Sequence, residues 1–341
     1  MSTLLLISLK SNKVRKNCLN TRNDIFLQKI LLQMKIPATI LFLVTGFLAK
    51  AQESLQRFTM YGDVYITIDM ATGQDRKSQS LIILYALPNG NTTEQTMGKI
   101  MAEGDDWHFD IQHIKAQTKF LRQELADKNI IVIYLENSYK SWPQWKTRHP
   151  SYIEETQHIV DTILSLFKGK KSLYLNGHSG GGRFIFSYLD GVKTIPSYVK
   201  NISFLDSNYG YDSTYLPKFT QWLKQNKNVH LNVFAYNDSV ALLNGKRFVS
   251  DTGGTWYRSG LMLRHLQKNF VFSKLKDDSL IVYRSTNKKI SFFLKTNPER
   301  KIFHTQQVER NGFIHSILIG TRREERNYVY FGERAYRRFI E

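Results

Sequence analysis

From residue 64 onward, apolar and polar positions fall into two patterns that take turns. "VYITIDMA" (64–71) alternates with a period of two, as a half-buried strand does. "SLIILYALPNGN" (80–91) is a continuous apolar run closed by a turn, which marks a strand covered on both faces. "HFDIQHIKAQTKFLRQEL" (108–125) repeats its apolar residues at helical spacing, and "NIIVIYLEN" (129–137) is again a buried strand. After an aromatic segment, "SWPQWKTRHP" (141–150), the stretch 151–167 predicts a helix opened by a capping box of Ser151 with Glu154.

The alternation continues through strand 172–177, helix 181–189, strand 199–207, helix 215–226, strand 229–238 and helix 255–270. Such an order predicts an α/β fold with a mainly parallel central sheet and helices on both faces. It breaks at "VFSKLKDDSLIVYRSTNKKISFFLKTN" (271–297), which reads as a small strand insertion, a pair, before a last strand and turn in "KIFHTQQVERNGFIHSILIG" (301–320). No repeat, low-complexity tract or linker interrupts residues 52–341, so a single domain is expected there.

Residues 1–51 read differently. "MKIPATILFLVTGFLAKAQ" (34–52) has a basic start, an apolar run from Ile36 to Leu48 and Ala49-Lys50-Ala51 before Gln52, the form of an export signal cleaved after Ala51, with Met34 as the expected true start. The apolar run is shorter than the roughly 20 residues a membrane span needs, so no stable span is expected after cleavage. The full chain of 341 residues carries a formal charge of +19, and losing the eight basic residues and single acid of the leader leaves it basic. The one cysteine, Cys18, lies in the leader, so the exported chain would hold no disulfide and rely on its core. The positive charge is spread along the chain and accompanies no nucleic-acid module, so no nucleic-acid partner is expected. A periplasmic or secreted location in a bacterial envelope follows from this reading.

The chemistry centres on Gly177-His178-Ser179-Gly180-Gly181, a G-x-S-x-G pattern that follows an apolar strand and opens an amphipathic helix. That context is the one a nucleophile elbow requires: a serine on a strained strand-to-helix turn, with small residues where the two backbones approach. Neither the G-x-x-x-x-G-K-[ST] phosphate loop nor the dinucleotide G-x-G-x-x-G is present.

In these residues, and in the order serine, acid, histidine, the chain resembles the α/β-hydrolase superfamily. The resemblance implies Ser179 as nucleophile and a histidine in the loop after the last strand, matched by His315, with His304 assigned to the strand and a structural role. It implies an aspartate at a strand end after the elbow, where Asp238 takes the commoner position and Asp206 the alternative. The oxyanion donors would be the Gly180 amide and one from Leu87 or Asn89, since Pro88 has no N–H. His178, Trp142 and Trp145 are candidates for the substrate pocket, although the position of His178 on a tight turn directs it away from the nucleophile.

"EGDDWHFDIQH" gathers Asp105, Asp106, His108, Asp110 and His113, but histidines five apart do not share a helix face, and no metal or other cofactor is expected. Thr255 and Trp256, after the glycine turn of "SDTGGTWYRSG", are candidates to border the pocket. The activity implied is a serine hydrolase cleaving a small-molecule or polymeric carboxylic ester through an acyl-enzyme. An amidase or peptidase of the same fold, or a non-catalytic envelope protein binding an anionic polymer, is the alternative.

Overall fold

The computed structural model describes residues 53–71, 79–277 and 279–341; the expected leader, with Met34, Cys18 and the cleavage point after Ala51, lies outside them. The described residues begin with an antiparallel hairpin, β1 (Glu53–Met60) and β2 (Val64–Ala71), followed by β3 (Ser80–Ala86). Then follow α1 (Thr93–Met97), α2 (Ile114–Glu124), β4 (Asn129–Asn137), α3 (Trp142–Arg148) and α4 (Tyr152–Ser165). The middle of the chain supplies β5 (Lys171–His178), α5 (Gly182–Gly191), β6 (Val199–Leu205), α6 (Leu216–Gln225) and β7 (His230–Tyr236). After a two-residue ribbon of β8 (Leu242–Leu243) and β9 (Lys246–Arg247) come α7 (Thr255–Leu266), β10 (Phe272–Lys276), β11 (Leu280–Ser285), β12 (Ile290–Lys295), α8 (Gln306–Glu309) and α9 (Gly312–Leu318).

Ten strands make one sheet in the order β1-β2-β4-β3-β5-β6-β7-β12-β11-β10. Its centre, β4 through β12, is parallel, and antiparallel pairs flank it on both sides. β3 shows why a continuous apolar run suits this position. Ile82, Leu84 and Ala86 enter the cluster on one face with Trp142, Phe184 and Trp222, while Leu81, Ile83 and Tyr85 enter the cluster on the other with Phe120, Phe313 and Ile317. Both faces are covered, so no polar face is needed. Among the described residues no helix is long and apolar enough to cross a membrane.

Several expectations are corrected. Residues 271–297 hold three strands: β10 and β11 form an antiparallel edge, but β12 pairs in parallel with β7, Ile290 opposite Leu231, and is the last strand of the parallel core. The segment 301–320 therefore holds no last strand. It becomes a loop and two short helices because Phe313, Ile314, Ile317 and Leu318 recur at helical spacing and pack on α2 and the sheet. Asn311 turns the chain at φ +67, with its amide group donating to the carbonyls of Val329 and Glu333. The aromatic segment 141–150 forms α3, capped by the Ser141 hydroxyl on the Gln144 amide. The capping box of Ser151 and Glu154 is not made, although α4 does begin there.

Candidate active site

Ser179 sits between β5 and α5 at φ +53, a left-handed conformation that a serine adopts only when its surroundings hold it there. The turn is as tight as the glycines implied. A Cβ on Gly181 would lie 2.1 Å from the Ala86 carbonyl oxygen, and one on Gly180 would lie 1.9 Å from Asn89 Oδ1. The end of β3 and the Asn89 side chain are thereby pressed against the elbow. Ser179, Gly180, Asn89, Arg183, Tyr209 and Gly210 border a pocket of about 290 Å³.

The loop after β6 closes on the same turn. Asp206, fully buried and at φ +49, donates its amide to Phe234 O at 2.8 Å, and the Ser207 hydroxyl donates to Gly177 O at 2.9 Å. Asp206 Oδ2 faces His304 Nδ1 at 2.5 Å, and its Oδ1 accepts from the Thr255 hydroxyl. His304 lies in the loop after β12, a quarter exposed, and its Nε2 makes no hydrogen bond among the described residues. His178 ties this loop to the turn of Ser179: its Nε2 donates to the His304 carbonyl at 3.2 Å, with the two rings 4.6 Å apart. Burial, then the neighbouring His304, pushes the basicity of His178 well down, so it is neutral and serves as a strut next to Ser179. Ser179 and His304 are not hydrogen-bonded to each other.

His315, expected as the base, lies on α9 and is fully buried. Its Nδ1 bonds the Tyr328 hydroxyl at 2.9 Å, its Nε2 has no partner, and its ring stacks on Tyr330 at 5.1 Å. Burial, with Arg284 nearby, lowers its pKa to about 3. Neither nitrogen reaches a carboxylate or Ser179, so the structure does not bring His315 to the site. Asp238, the first-choice acid, shares Thr255 with Asp206 but bonds no histidine among the described residues. Its Oδ2 accepts the Thr255 amide at 2.8 Å at the start of α7, its Oδ1 has no partner, and burial together with the Asp206 charge raises its pKa to about 6.

Of the oxyanion candidates, Leu87 donates its amide to Leu135 O at 3.1 Å within the sheet and has no proton to offer, which leaves Asn89 beside Gly180. Trp142 and Trp145 are core residues. The Trp142 indole donates to Leu135 O at 3.2 Å and its ring packs on Phe184 at 4.7 Å, while Pro143 between them reaches the pocket. In the 105–113 segment His113 Nε2 bonds Asp110 at 2.7 Å and Arg334 pairs with the same carboxylate, an internal ion cluster. Among the described residues no three His, Cys, Asp or Glu side chains converge as metal ligands. Three residues that the sequence reading did not place here are His304, Arg183 and Tyr209.

A mainly parallel sheet with helices on both faces and a serine elbow after its central strand is the α/β-hydrolase fold. No family model and no curated protein matches the sequence. Among solved structures the chain is similar to the feruloyl esterase module from Clostridium thermocellum, at 12% identity and a TM-score of 0.46, over 82% of this chain and 90% of that one. It is similar also to the acetyl xylan esterase from Aspergillus awamori, at 11% identity and a TM-score of 0.40, over 71% and 92%. For the acylaminoacyl peptidase of Pyrococcus horikoshii the figures are 9% and 0.38, over 91% of this chain and 47% of that one.

Proposed function

We propose that the protein is a serine hydrolase cleaving a carboxylic ester through an acyl-enzyme, with Ser179 as nucleophile, His304 as general base and Asp206 as the carboxylate that orients it. The observation that carries this reading is the His304 Nδ1 to Asp206 Oδ2 contact at 2.5 Å, anchored through His178 to the strained turn of Ser179. A serine hydroxyl is a poor nucleophile until a base accepts its proton, and a base holds its proton-accepting nitrogen correctly only when the other nitrogen is fixed. With Nδ1 committed to Asp206, Nε2 of His304 is the nitrogen left to accept the Ser179 proton.

The steps follow. Ser179 Oγ bonds to the ester carbonyl carbon as its proton passes to His304 Nε2, and the carbonyl oxygen becomes an oxyanion facing the Gly180 amide and the Asn89 donors. The intermediate collapses by breaking the bond to the alcohol oxygen, which takes the proton from His304. A water then repeats the sequence on the acyl-enzyme, releasing the acid and restoring Ser179. Residues 1–51 we read as an export leader and 52–341 as the hydrolase domain; an N-terminus at Gln52 in the protein recovered from an exporting host tests that part.

The test of the chemistry is treatment of the full chain with a fluorophosphonate and location of the adduct by peptide mass. Labelling at Ser179, lost in Ser179→Ala and in His304→Ala, is expected. A folded protein that takes no label at Ser179 refutes the reading.

A further inference from the structure

The pocket beside Ser179 contains a cation with no counter-charge. Arg183 lines it together with Ser179, Asn89 and Tyr209, and its guanidinium donates no hydrogen bond and joins no ion pair among the described residues. It is the second residue of α5, where the helix dipole already presents positive charge, and the first turn of that helix holds no acid. A helix start of this kind ordinarily recruits an anion, and a basic residue there lacks the compensation the dipole calls for. The backbone opposite is shaped around the side chain. A Cβ on Gly210 would lie 3.1 Å from Arg183 Nη1 and 2.7 Å from Phe186, so a larger residue would crowd the guanidinium. Tyr209, an exposed side chain whose hydroxyl the Asp206 and Asp238 charges help to keep protonated, adds a neutral donor to the same wall. Asp206, Asp190 and Asp212 have partners of their own: Asp206 with His304 and Thr255, Asp190 with Tyr215, Tyr152 and Lys146, and Asp212 with Thr214.

We propose that Arg183 is a specificity-determining residue that receives a carboxylate carried by the substrate, so that the esters cleaved at Ser179 are anionic ones. The inference rests on the proposed hydrolase activity and names its substrate class. Guanidinium and carboxylate match as a two-pronged pair, which a pocket of about 290 Å³ accommodates next to the reacting carbonyl on a small substrate. The chain stays basic without the leader, 40 basic residues against 28 acids or +12, which adds a field that draws anionic substrates in.

The test compares kcat/KM for 4-nitrophenyl hemiglutarate with 4-nitrophenyl hexanoate, placing the carboxylate on the acyl side, and for 4-carboxyphenyl butyrate with phenyl butyrate, placing it on the alcohol side. Wild type is expected to favour the charged member of one pair by roughly 10- to 100-fold, the range of a hydrogen bond to a charged group. The pair that responds tells which half of the substrate carries the anion. In Arg183→Gln that ratio is expected to fall toward one, and in Arg183→Lys to be partly kept. A charged-to-neutral ratio near one in both pairs for wild type, or a ratio that survives Arg183→Gln, overturns the proposal. Calorimetric titration of Ser179→Ala with glutarate and with neutral glutaramide keeps the two readings apart. Failure of Ser179 to label refutes the hydrolase alone, whereas glutarate binding no tighter than glutaramide, or unaffected by adding Arg183→Gln, refutes the anion pocket alone.

Discussion

His315→Phe distinguishes the two histidines that compete for the role of base. The folded protein holds the His315 ring against Phe293 at 4.6 Å and Tyr330 at 5.1 Å, with a pKa lowered to about 3 by burial and then by Arg284, whereas unfolding returns it to 6.5. Between those values the unfolded chain binds a proton that the folded protein does not, so stability rises with pH over this window and is lost on acidification. From pH 7 to pH 5 the loss through this one ring comes to about 2 kcal/mol by the linkage relation. The figure is governed by the unfolded value, because pH 5 lies well above the folded one. Phenylalanine carries no such proton, and that part of the pH dependence should vanish.

The substitution also costs the 2.9 Å bond to Tyr328, about 1 kcal/mol, and removes an unpaired buried nitrogen, which offsets part of it. Urea unfolding followed by tryptophan fluorescence, at pH 7 and pH 5, measures the effect as a difference of differences between wild type and variant. Fluorophosphonate labelling of the same folded variant at pH 7 should remain within a few-fold of wild type. If labelling is abolished, His315 is the base and the assignment of His304 is wrong; if the pH dependence is unchanged, the ring is not buried and neutral as described.

Asp206→Asn should lower kcat by about 10³- to 10⁴-fold with the fold intact, since an amide holds the wrong tautomer of His304, and ester turnover of the purified variant measures it. Gly180→Ala should fold, because the clashing Asn89 side chain is exposed and able to move, but displacing that group should reduce kcat by about 10²-fold, and adding Asn89→Ala should cost little more. Asp238→Asn should remove a stability term that opposes rising pH. The folded carboxyl titrates at about 6 against 3.8 unfolded, so the folded state binds the extra proton and stability falls across that window by up to about 3 kcal/mol, measurable as Tm against pH.

The elbow was legible because its chemistry is local. Strand, G-x-S-x-G and helix are contiguous, and the φ of +53 at Ser179 is what the glycines on either side allow. The core strands β3 to β7 were legible for a similar reason, since a run such as Ser80–Ala86 is apolar on both faces only when both faces are covered. The proposed base was not. A histidine was sought after the last strand, and that strand was misplaced. Ile290–Lys295 pairs with β11 on one side and β7 on the other, and nothing in its six residues tells an inserted strand from the edge of the parallel core. Once β12 is the last strand, its loop carries His304, and the apolar residues around His315 become the buried stripe of α9.

The choice between the two aspartates depends on this same fact. Both stand at strand ends, and both reach Thr255, Asp206 through its hydroxyl and Asp238 through its amide and, at 3.2 Å, the same hydroxyl. Burial, and then the neighbouring Asp206 charge, raises the Asp238 pKa to about 6. Asp238 also has the helix start of α7 to hold, where an amide donor supports it whether or not it is charged. Asp206 has His304. That histidine is delivered by a loop whose carbonyl is pinned to His178, the residue before Ser179, so one hydrogen bond holds the proposed base and acid beside the proposed nucleophile. Local sequence around either aspartate carries no trace of that bond, because its donor lies 126 residues from its acceptor.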